Sequence, residues 1–442
     1  MPKQKQDVYA AIGPAIAFNQ ANQKWNILKG VNVVSGQNPA ILSEGFAGIT
    51  LVNKGNVLGP TTDGGASSVT LNDSDNATIE NRETGYIGGF GGVFIGSSAS
   101  VTFLNWGQVF AAEDALRAGN TDALTVENHG AMSGINAAVS ITNISGLSGP
   151  LIENFGTMKG QDVTISLDVV DATATIKNKA GGLIENTGDG FAINVNEGRL
   201  KLNNKGTIDG TIVAAEDDND NAITNHGEIV GKGSWSSILT NDGDDTVTNT
   251  GKIVHEGNPT PVVTGSGEDT VTNKGTIAAG GSAFAVRTGD DDDTVINEGI
   301  IEGKVNLGDG DDVYKNKGGK VNGRIDPESG NDKLVLGKSK DQIEFDDNLD
   351  AATNVDRVKN FESGKDKFFL DGDEFTGLTL GTLQKSEFTR GTEAKGNAPQ
   401  VIYDKPNGLL WFDDGAGGDS QILFARLDDG TKLKHDDFFV FD

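Results

Sequence analysis

The stretch from Thr240 to Leu336 repeats one short acidic turn five times, as in Gly265-Ser-Gly-Glu-Asp-Thr-Val. The last Asp residues of consecutive copies lie 24, 24, 19 and 20 residues apart. These residues, called the final Asp of each turn, are Asp245, Asp269, Asp293, Asp312 and Asp332. A special turn that recurs at such a regular spacing is typical of a solenoid, in which each repeat is one coil stacked on the next.

The residue types in this turn favour cation binding. Gly lets the chain wrap tightly, and Asp supplies hard carboxylate oxygens that would repel one another in a column without a cation. Coils stack roughly 4.8 Å apart, so one ion can be shared between neighbours, and an all-oxygen site suits Ca²⁺. We therefore predict a row of Ca²⁺ sites along one edge; the alternative is a row of solvated surface turns. The predicted site residues are Asp245, Gly265, Gly267, Asp269, Gly289, Asp291, Asp293, Gly308, Gly310, Asp312, Asp332 and Asp366.

Two copies of the turn, 265–271 and 308–314, resemble the RTX, or haemolysin-type, calcium-binding repeat G-G-x-G-x-D-x-U-x. The resemblance implies calcium bound between stacked turns. Two features depart from it. Asp242 and Asp291 stand at turn positions where the repeat has Gly, and the acidic turn recurs once per coil of 19–24 residues rather than every nine. Ions are therefore expected on one edge only.

A second repeat has the form apolar-x-Asn-x-Gly-x-apolar, as in Leu202-Asn-Asn-Lys-Gly-Thr-Ile. Most of its spacings cluster near 24 residues, long enough for three short strands and three turns. We therefore predict an all-β fold, a parallel β-helix of about twelve coils, right-handed by the crossover rule. An antiparallel β-sandwich with Asn-x-Gly hairpins is the alternative, but it predicts no constant period. The repeated Asn stand at positions 53, 81, 105, 128, 154, 178, 204, 225, 249, 273, 297 and 316.

The strand before each Asn alternates, so that Val247 and Asn249 point to the same side. If Val247 is inside the coil, so is Asn249. The sequence thus predicts an internal ladder of Asn amides at one corner, each hydrogen-bonded to the coils above and below.

The composition limits the possible partners and compartments. The chain has 442 residues, a formal net charge of −28 and no Cys. This charge argues against binding to nucleic acid and to anionic membranes, and no run is apolar enough for membrane insertion. The apolar segment near the N-terminus is interrupted by Asp7 and by Gly13-Pro14, so we expect no cleaved signal peptide.

The patterns divide the chain into four parts. Residues 1–45, without a visible repeat, are predicted to form an N-terminal cap or arm, and 46–239 a β-helix with Asn-x-Gly corners. Residues 240–340 are predicted to form acidic calcium-binding coils, and 341–442 a compact C-terminal cap. Eleven of the 20 Phe follow residue 340, which indicates an aromatic core in this last part.

The C-terminal part resembles the corresponding region of RTX exoproteins such as the serralysin proteases. Its end, Asp437-Phe-Phe-Val-Phe, matches the family's acidic residue followed by apolar ones, although Asp442 trails it. The resemblance implies an uncleaved signal for the type I secretion machinery. The expected location is therefore extracellular, in the medium or at the cell surface.

No catalytic site is predicted. The four His do not form the His-Glu-x-x-His zinc motif of the serralysins, and no Gly-x-Ser-x-Gly elbow occurs with its partners. One enzymatic alternative stays open, because some β-helix lyases and epimerases act on acidic polysaccharides with carboxylates and a base. Its candidate residues are Asp162, Asp168, Asp171, Arg199 and Lys201, with ordinary exposed charge as the simpler interpretation.

Taken together, the patterns predict a secreted calcium-binding structural protein, such as a surface-layer, fibre or adhesin subunit, with cell-surface polysaccharide as a further candidate partner. Residues 1–30 carry four Lys and one Asp, whereas 240–332 carry 18 Asp and Glu against eight Lys and Arg. Opposite charge in the two segments favours head-to-tail self-assembly into a homo-oligomer, filament or lattice.

Overall fold

The computed structural model of the protein describes residues 3–62, 66–144, 149–214, 218–281, 283–415 and 421–442. Within these ranges the chain forms β-strands and two short 3-10 helices. The fold is a parallel β-solenoid of about 15 turns with a spacing of about 24 residues. The predicted all-β parallel β-helix is confirmed. The chain divides into two compact units, Met1–Thr240 and Asn241–Asp442.

The first unit contains three strands in most coils. Its strands are β1 (Lys3–Gln4), β2 (Val8–Ala10), β3 (Ile16–Ala17), β4 (Lys24–Ile27), β5 (Asn32–Ser35), β6 (Ile41–Glu44), β7 (Thr50–Asn53), β8 (Asn56–Leu58), β9 (Ser67–Asn72), β10 (Thr78–Asn81), β11 (Tyr86–Gly89), β12 (Gly91–Gly96), β13 (Val101–Asn105), β14 (Gln108–Ala111), β15 (Leu116–Gly119), β16 (Leu124–Asn128), β17 (Ala131–Gly134), β18 (Val139–Thr142), β19 (Leu151–Asn154), β20 (Thr157–Gly160), β21 (Val163–Asn178), β22 (Leu183–Asn186), β23 (Phe191–Asn204), β24 (Thr207–Asp209), β25 (Thr211–Val213), β26 (Ala222–Asn225), β27 (Glu228–Gly231) and β28 (Ile238–Leu239).

The second unit also contains three-strand coils and ends in a more irregular region. Its elements are β29 (Thr246–Asn249), β30 (Lys252–His255), β31 (Val262–Ser266), β32 (Thr270–Asn273), β33 (Thr276–Ala279), β34 (Phe284–Asp290), β35 (Thr294–Asn297), β36 (Ile300–Glu302), β37 (Lys304–Asp309), β38 (Val313–Asn316), β39 (Lys320–Val321), β40 (Ile325–Asp326), β41 (Lys333–Val335), β42 (Gln342–Phe345), β43 (Asp356–Lys359), β44 (Lys367–Asp371), β45 (Gly381–Thr382), a 3-10 helix (Lys385–Glu387), β46 (Phe388–Arg390), β47 (Gln400–Asp404), β48 (Leu409–Asp413), β49 (Ile422–Leu427), a second 3-10 helix (His435–Asp437) and β50 (Phe438–Phe441).

Each strand lies parallel to the equivalent strand of the next coil, and the repeat sets the register. In the first unit Asn53 pairs with Asn81 and Asn81 with Asn105. In the second unit Asn249 pairs with Asn273. Because strand side chains alternate, β-branched residues at every second position fill the narrow interior, as Val247 does in β29.

The Asn corner forms the predicted internal ladder. Asn128 Nδ2 donates to Asn154 Oδ1 at 2.8 Å, and Asn154 Nδ2 donates to Asn178 Oδ1 at 2.9 Å. In several coils the Gly two residues after the Asn lies against the preceding coil, and a Cβ added to Gly130 would stand 2.0 Å from the carbonyl oxygen of Gly107. The ladder and the close contact between coils therefore explain why Asn and Gly recur together in this chain.

The described part of residues 1–45, predicted to form an N-terminal cap or arm, forms two coils of the solenoid. Strand β1 pairs with β4, β2 with β5 and β3 with β6, all parallel. Gln4 and Ile27 stand in these coils where later coils have the corner Asn. Without that Asn the two coils carry no visible repeat, and for this reason the predicted number of about twelve coils is too low.

The C-terminal part of the second unit first extends the stack and then covers it. Strands β42 and β44 continue one column of parallel strands, and the final strand, β50, pairs parallel to β44 with Phe368 beside Phe438. Strands β47, β48 and β49 form an antiparallel sheet. Phe368 stacks on both Phe361 and Phe438, at ring-centroid distances of 4.5 and 5.3 Å. Aromatic residues thus form the core of this region.

Among the described residues, none lies in a helix long and apolar enough to cross a bilayer.

Candidate metal centre

The five acidic turns of the second unit stack on one another. Each has two residues in the left-handed region of φ, placed four and two positions before the final Asp. In the turn of Asp312 these are Gly308 (φ 99°) and Gly310 (φ 145°). A Cβ added to Gly289 would lie 1.8 Å from the carbonyl oxygen of Gly265, so the turns stack too closely for a side chain there. The equivalent pairs in the other turns are Asn241 and Gly243, Gly265 and Gly267, Gly289 and Asp291, and Glu328 and Gly330.

The final Asp of each turn is almost fully buried, and these residues form a continuous column. From Asp269 onward, one carboxylate oxygen of each accepts a hydrogen bond from the backbone N–H of the equivalent Asp in the preceding turn. The distance is 2.7 Å from Asp269 N to Asp293 Oδ1 and 2.7 Å from Asp293 N to Asp312 Oδ1. The structure therefore brings together the predicted Asp245, Asp269, Asp293, Asp312 and Asp332. We call this set, with Asp356 described below, the Asp column.

The second carboxylate oxygen lacks a backbone donor in the three members of the Asp column that are nearest the C-terminus. Oδ2 of Asp312, Asp332 and Asp356 is buried and accepts no hydrogen bond from a backbone or other neutral donor of the described residues. The Asp332 and Asp356 carboxyls approach each other closely enough to share a proton. Asp312 is 1% exposed, and Asp332 and Asp356 are 0% exposed. A buried oxygen that carries charge without a partner is costly, so these positions call for a proton or a cation.

Burial also shifts the titration of the column. Desolvation raises the pKa of Asp269 to about 7 and the pKa of Asp293 to about 8. It likewise raises the pKa of Asp312 to about 8, with the charge of Asp332 adding to the rise. Burial and the mutual repulsion of Asp332 and Asp356 raise the pKa of Asp332 strongly. Without a counterion the column therefore favours the protonated state near neutral pH.

A second row of acidic residues lies on the solvent side of the same turns. Glu268 N donates to Asp244 Oδ1 at 2.9 Å, and Asp311 N donates to Asp292 Oδ1 at 2.8 Å. Asp291, in the left-handed region with φ 81°, accepts from Gly267 N through Oδ2 at 3.2 Å. Asp291 thus belongs to this exposed outer row, and not to the buried Asp column.

One predicted site residue lies elsewhere. Asp366 Oδ1 accepts from Asp341 N at 3.0 Å, and its Oδ2 accepts from Glu362 N at 2.8 Å. Asp341 in turn accepts from Asn316 Nδ2 at 3.0 Å, so Asp341 extends the Asn ladder. Backbone donors satisfy both oxygens of Asp366, and the structure does not bring this residue into the Asp column.

Asp356 is the column member that the sequence analysis missed. Its Oδ1 accepts from Asp332 N at 3.0 Å, which repeats the contact of the preceding coils. Asp356 follows Asp332 by 24 residues, the period of the repeat, so spacing alone could have identified it. The turn before it, Ala352-Thr-Asn-Val, has no Gly, so this coil does not match the pattern of the acidic turns.

The residues suggested for an enzyme are dispersed over neighbouring coils of the first unit. Asp168 pairs with Glu197, Thr173 with Arg199 and Thr175 with Lys201. Arg199, Lys201 and Asp162 are exposed, and the side chain of Asp171 lies outside the described residues. The positions of these five residues do not indicate a particular reaction.

No family model matches the chain, and no curated protein matches it. The fold and the site define its class, a strongly acidic parallel β-solenoid with a column of buried carboxylates inside the acidic turns of its second unit.

Proposed function

We propose that the protein is a secreted, calcium-binding structural β-solenoid, in which Ca²⁺ binds along the Asp column and holds successive coils together. The observation that carries this proposal is the stack of buried carboxylates of Asp312, Asp332 and Asp356, whose Oδ2 atoms have no donor among the described residues except a neighbouring carboxyl that itself must be protonated. A divalent cation would neutralise these oxygens.

The ligand atoms that the protein offers determine which cation fits the site best. The column offers carboxylate oxygens, and the outer row adds further carboxylates at the same turns. Ca²⁺ accepts about 6–8 oxygen ligands in flexible arrangements, whereas Mg²⁺ demands a near-ideal octahedron. Zn²⁺ prefers Cys and His, and the chain has no Cys. Ca²⁺ therefore suits the column best.

The arrangement supports a structural role for the ion. From Asp269 onward, every column carboxylate already joins two coils through its hydrogen bond to the preceding turn. A bound ion would add a second connection between the same coils. A ligand that binds only the folded state adds RT ln(1 + [L]/Kd), which is about 2.7 kcal/mol at a hundredfold excess over Kd.

Removal of one column charge should abolish part of the calcium effect without harming the calcium-free fold. In Asp312→Asn the amide oxygen still accepts from Asp293 N, but the buried charge is gone. In chelator this variant should unfold at or above the wild-type temperature. Its calcium-induced rise in Tm should be smaller than that of wild type by on the order of 5 °C, given roughly 2–4 °C per kcal/mol for a unit of this size.

The matched control is Asp429→Asn, which removes the same charge from an exposed turn of the same unit. This variant should keep the full calcium response in a calorimetric scan. A wild-type Tm that is the same in chelator and in calcium would refute the calcium proposal.

Export is the second part of the proposal, and it is supported by the resemblance of the C-terminal region to type I secretion regions. Residues 341–442 fused to an intracellular carrier should bring the carrier into the medium of cells that possess a type I transporter. The same cells without the transporter are the control. Continued export of the protein after deletion of 401–442 would contradict this assignment.

A further inference from the structure

The first unit carries a groove on the outer face of the column that strands β6, β9, β12 and β15 form. Its volume is about 400 Å³, which lies in the range of sites for small molecules. Residues at equivalent positions in successive coils line it, namely Leu42, Thr70, Phe94 and Arg117. The stacking of the coils therefore brings an aromatic ring and a charged group to the same surface.

Glycine residues shape the floor of the groove. Gly91 pairs with Ser67 in the preceding coil, and Asp114 stands beside it in the next, so the absent side chain leaves a depression between them. A second glycine makes room for the ring of Phe94. A Cβ added to Gly96 would lie 2.9 Å from Cε1 of Phe94, so the half-buried ring lies along the sheet over this glycine. The groove thus has an aromatic surface that rests on the backbone.

Charged side chains line the groove without pairing with one another. Asp114 is 9% exposed, and no hydrogen bond or ion pair joins its carboxylate to another side chain of the described residues. Burial raises the pKa of Asp114 to about 6, although the positive charge of Arg117 opposes the rise. Arg117 and Glu44 are exposed and Glu113 is half-buried, and within the described ranges their charged groups have no ion-pair partner either. The groove therefore offers donors and acceptors that no other side chain uses.

This combination of surfaces matches one class of ligand. A sugar ring has an apolar face of C–H groups and a rim of hydroxyl groups that both donate and accept hydrogen bonds. An aromatic ring can cover the apolar face, and charged groups of both signs can satisfy the hydroxyl groups. Three carboxylates against one guanidinium leave the groove negatively charged, which disfavours uronates and other anionic sugars.

We propose that the groove binds a neutral sugar unit of a polysaccharide, which packs on Phe94, donates hydrogen bonds to Asp114 and Glu44, and accepts from Arg117. Such binding would attach the solenoid to a glycan. The groove lies within Met1–Thr240 and shares no residue with the Asp column, so sugar binding is separate from the proposed binding of Ca²⁺.

Native affinity electrophoresis of the full-length protein tests the proposal, in gels that contain dextran, laminarin or galactomannan and no added calcium. At least one of these neutral polysaccharides should retard the wild type, and alginate in the same buffer should not. Phe94→Ala, Asp114→Asn and Arg117→Ala should each weaken the apparent affinity by about tenfold or more, because each removes a contact with the sugar.

The matched control is Phe110→Ala, which removes a 38% exposed aromatic side chain from strand β14 of the other sheet and should be retarded as wild type is. Thermal unfolding of each variant verifies that the fold is retained, and Arg117→Ala changes an exposed position that the fold should tolerate. Asp312→Asn should also be retarded as wild type is, so failure of the calcium proposal and failure of this one are separable.

Two results would overturn the inference. One is a wild type that none of the three neutral polysaccharides retards, or variants Phe94→Ala and Arg117→Ala that are retarded as strongly as wild type. The other is retardation by alginate alone, which would make the ligand an anionic glycan and the assigned class of sugar wrong.

Discussion

Without calcium, the second unit should be more stable at pH 5 than at pH 8, and calcium should remove or reverse this difference. Burial raises the pKa of Asp269 to about 7 and the pKa values of Asp293 and Asp312 to about 8, from an ordinary value of 3.8. In the unfolded chain these carboxyls lose their protons near pH 4. The folded chain retains them, so their contribution to stability is complete below pH 4 and is lost as pH rises through 7 and 8.

The size of the effect follows from linkage. If each of the three carboxyls contributes on the order of 1 kcal/mol between pH 5 and pH 8, the calcium-free Tm should fall by on the order of 5–10 °C. Calcium binds the deprotonated column, so the stabilisation it gives should grow over the same interval. Calorimetric scans at pH 5 and pH 8, each in chelator and in calcium, give the four Tm values that this comparison needs.

The same scans on Asp312→Asn provide an internal comparison, because removal of one shifted carboxyl should reduce the pH dependence in chelator. A calcium-free protein that is equally stable at pH 5 and pH 8, or more stable at pH 8, would show that the pKa values of the Asp column are not raised by burial and by mutual repulsion. Such a result would contradict the electrostatic account of the site.

The fold was predictable because one corner of the coil is chemically demanding. The ladder needs an amide that both donates and accepts, and the next turn needs a Gly for close approach, so Asn-x-Gly recurs visibly. The first two coils have Gln4 and Ile27 at that corner. Many apolar side chains can fill a coil interior, so these coils leave no comparable pattern in the sequence.

The residues of the candidate site also differ in how well the sequence predicts them. The Asp column repeats with the coil, and its period would even have identified Asp356. Asp366 shares the residue type, but it accepts from the backbone of Asp341, which continues the Asn ladder, and sequence spacing after the last acidic turn does not separate it from the Asp column.

Interruption of the Asn ladder should destabilise the first unit strongly and independently of calcium. Asn154 is fully buried, accepts from Asn128 Nδ2 at 2.8 Å, and donates to Asn178 Oδ1 at 2.9 Å and to the Leu183 carbonyl at 3.0 Å. Asn154→Ala removes these contacts, leaves buried polar groups unpaired and opens a small cavity. The expected cost is about 3–5 kcal/mol, because each unpaired buried group costs about 1–3 kcal/mol.

The matched control is Asn136→Ala, an exposed Asn of the same unit outside the ladder, which should change stability by less than about 0.5 kcal/mol. Denaturant unfolding followed by hydrogen exchange should locate the loss of Asn154→Ala in strands β16, β19 and β21, since coils of a solenoid depend chiefly on their neighbours. Calcium should not restore it, because the Asp column lies in the second unit. If Asn154→Ala is no more destabilising than Asn136→Ala, the amide ladder fixes the register of the coils without contributing to their stability.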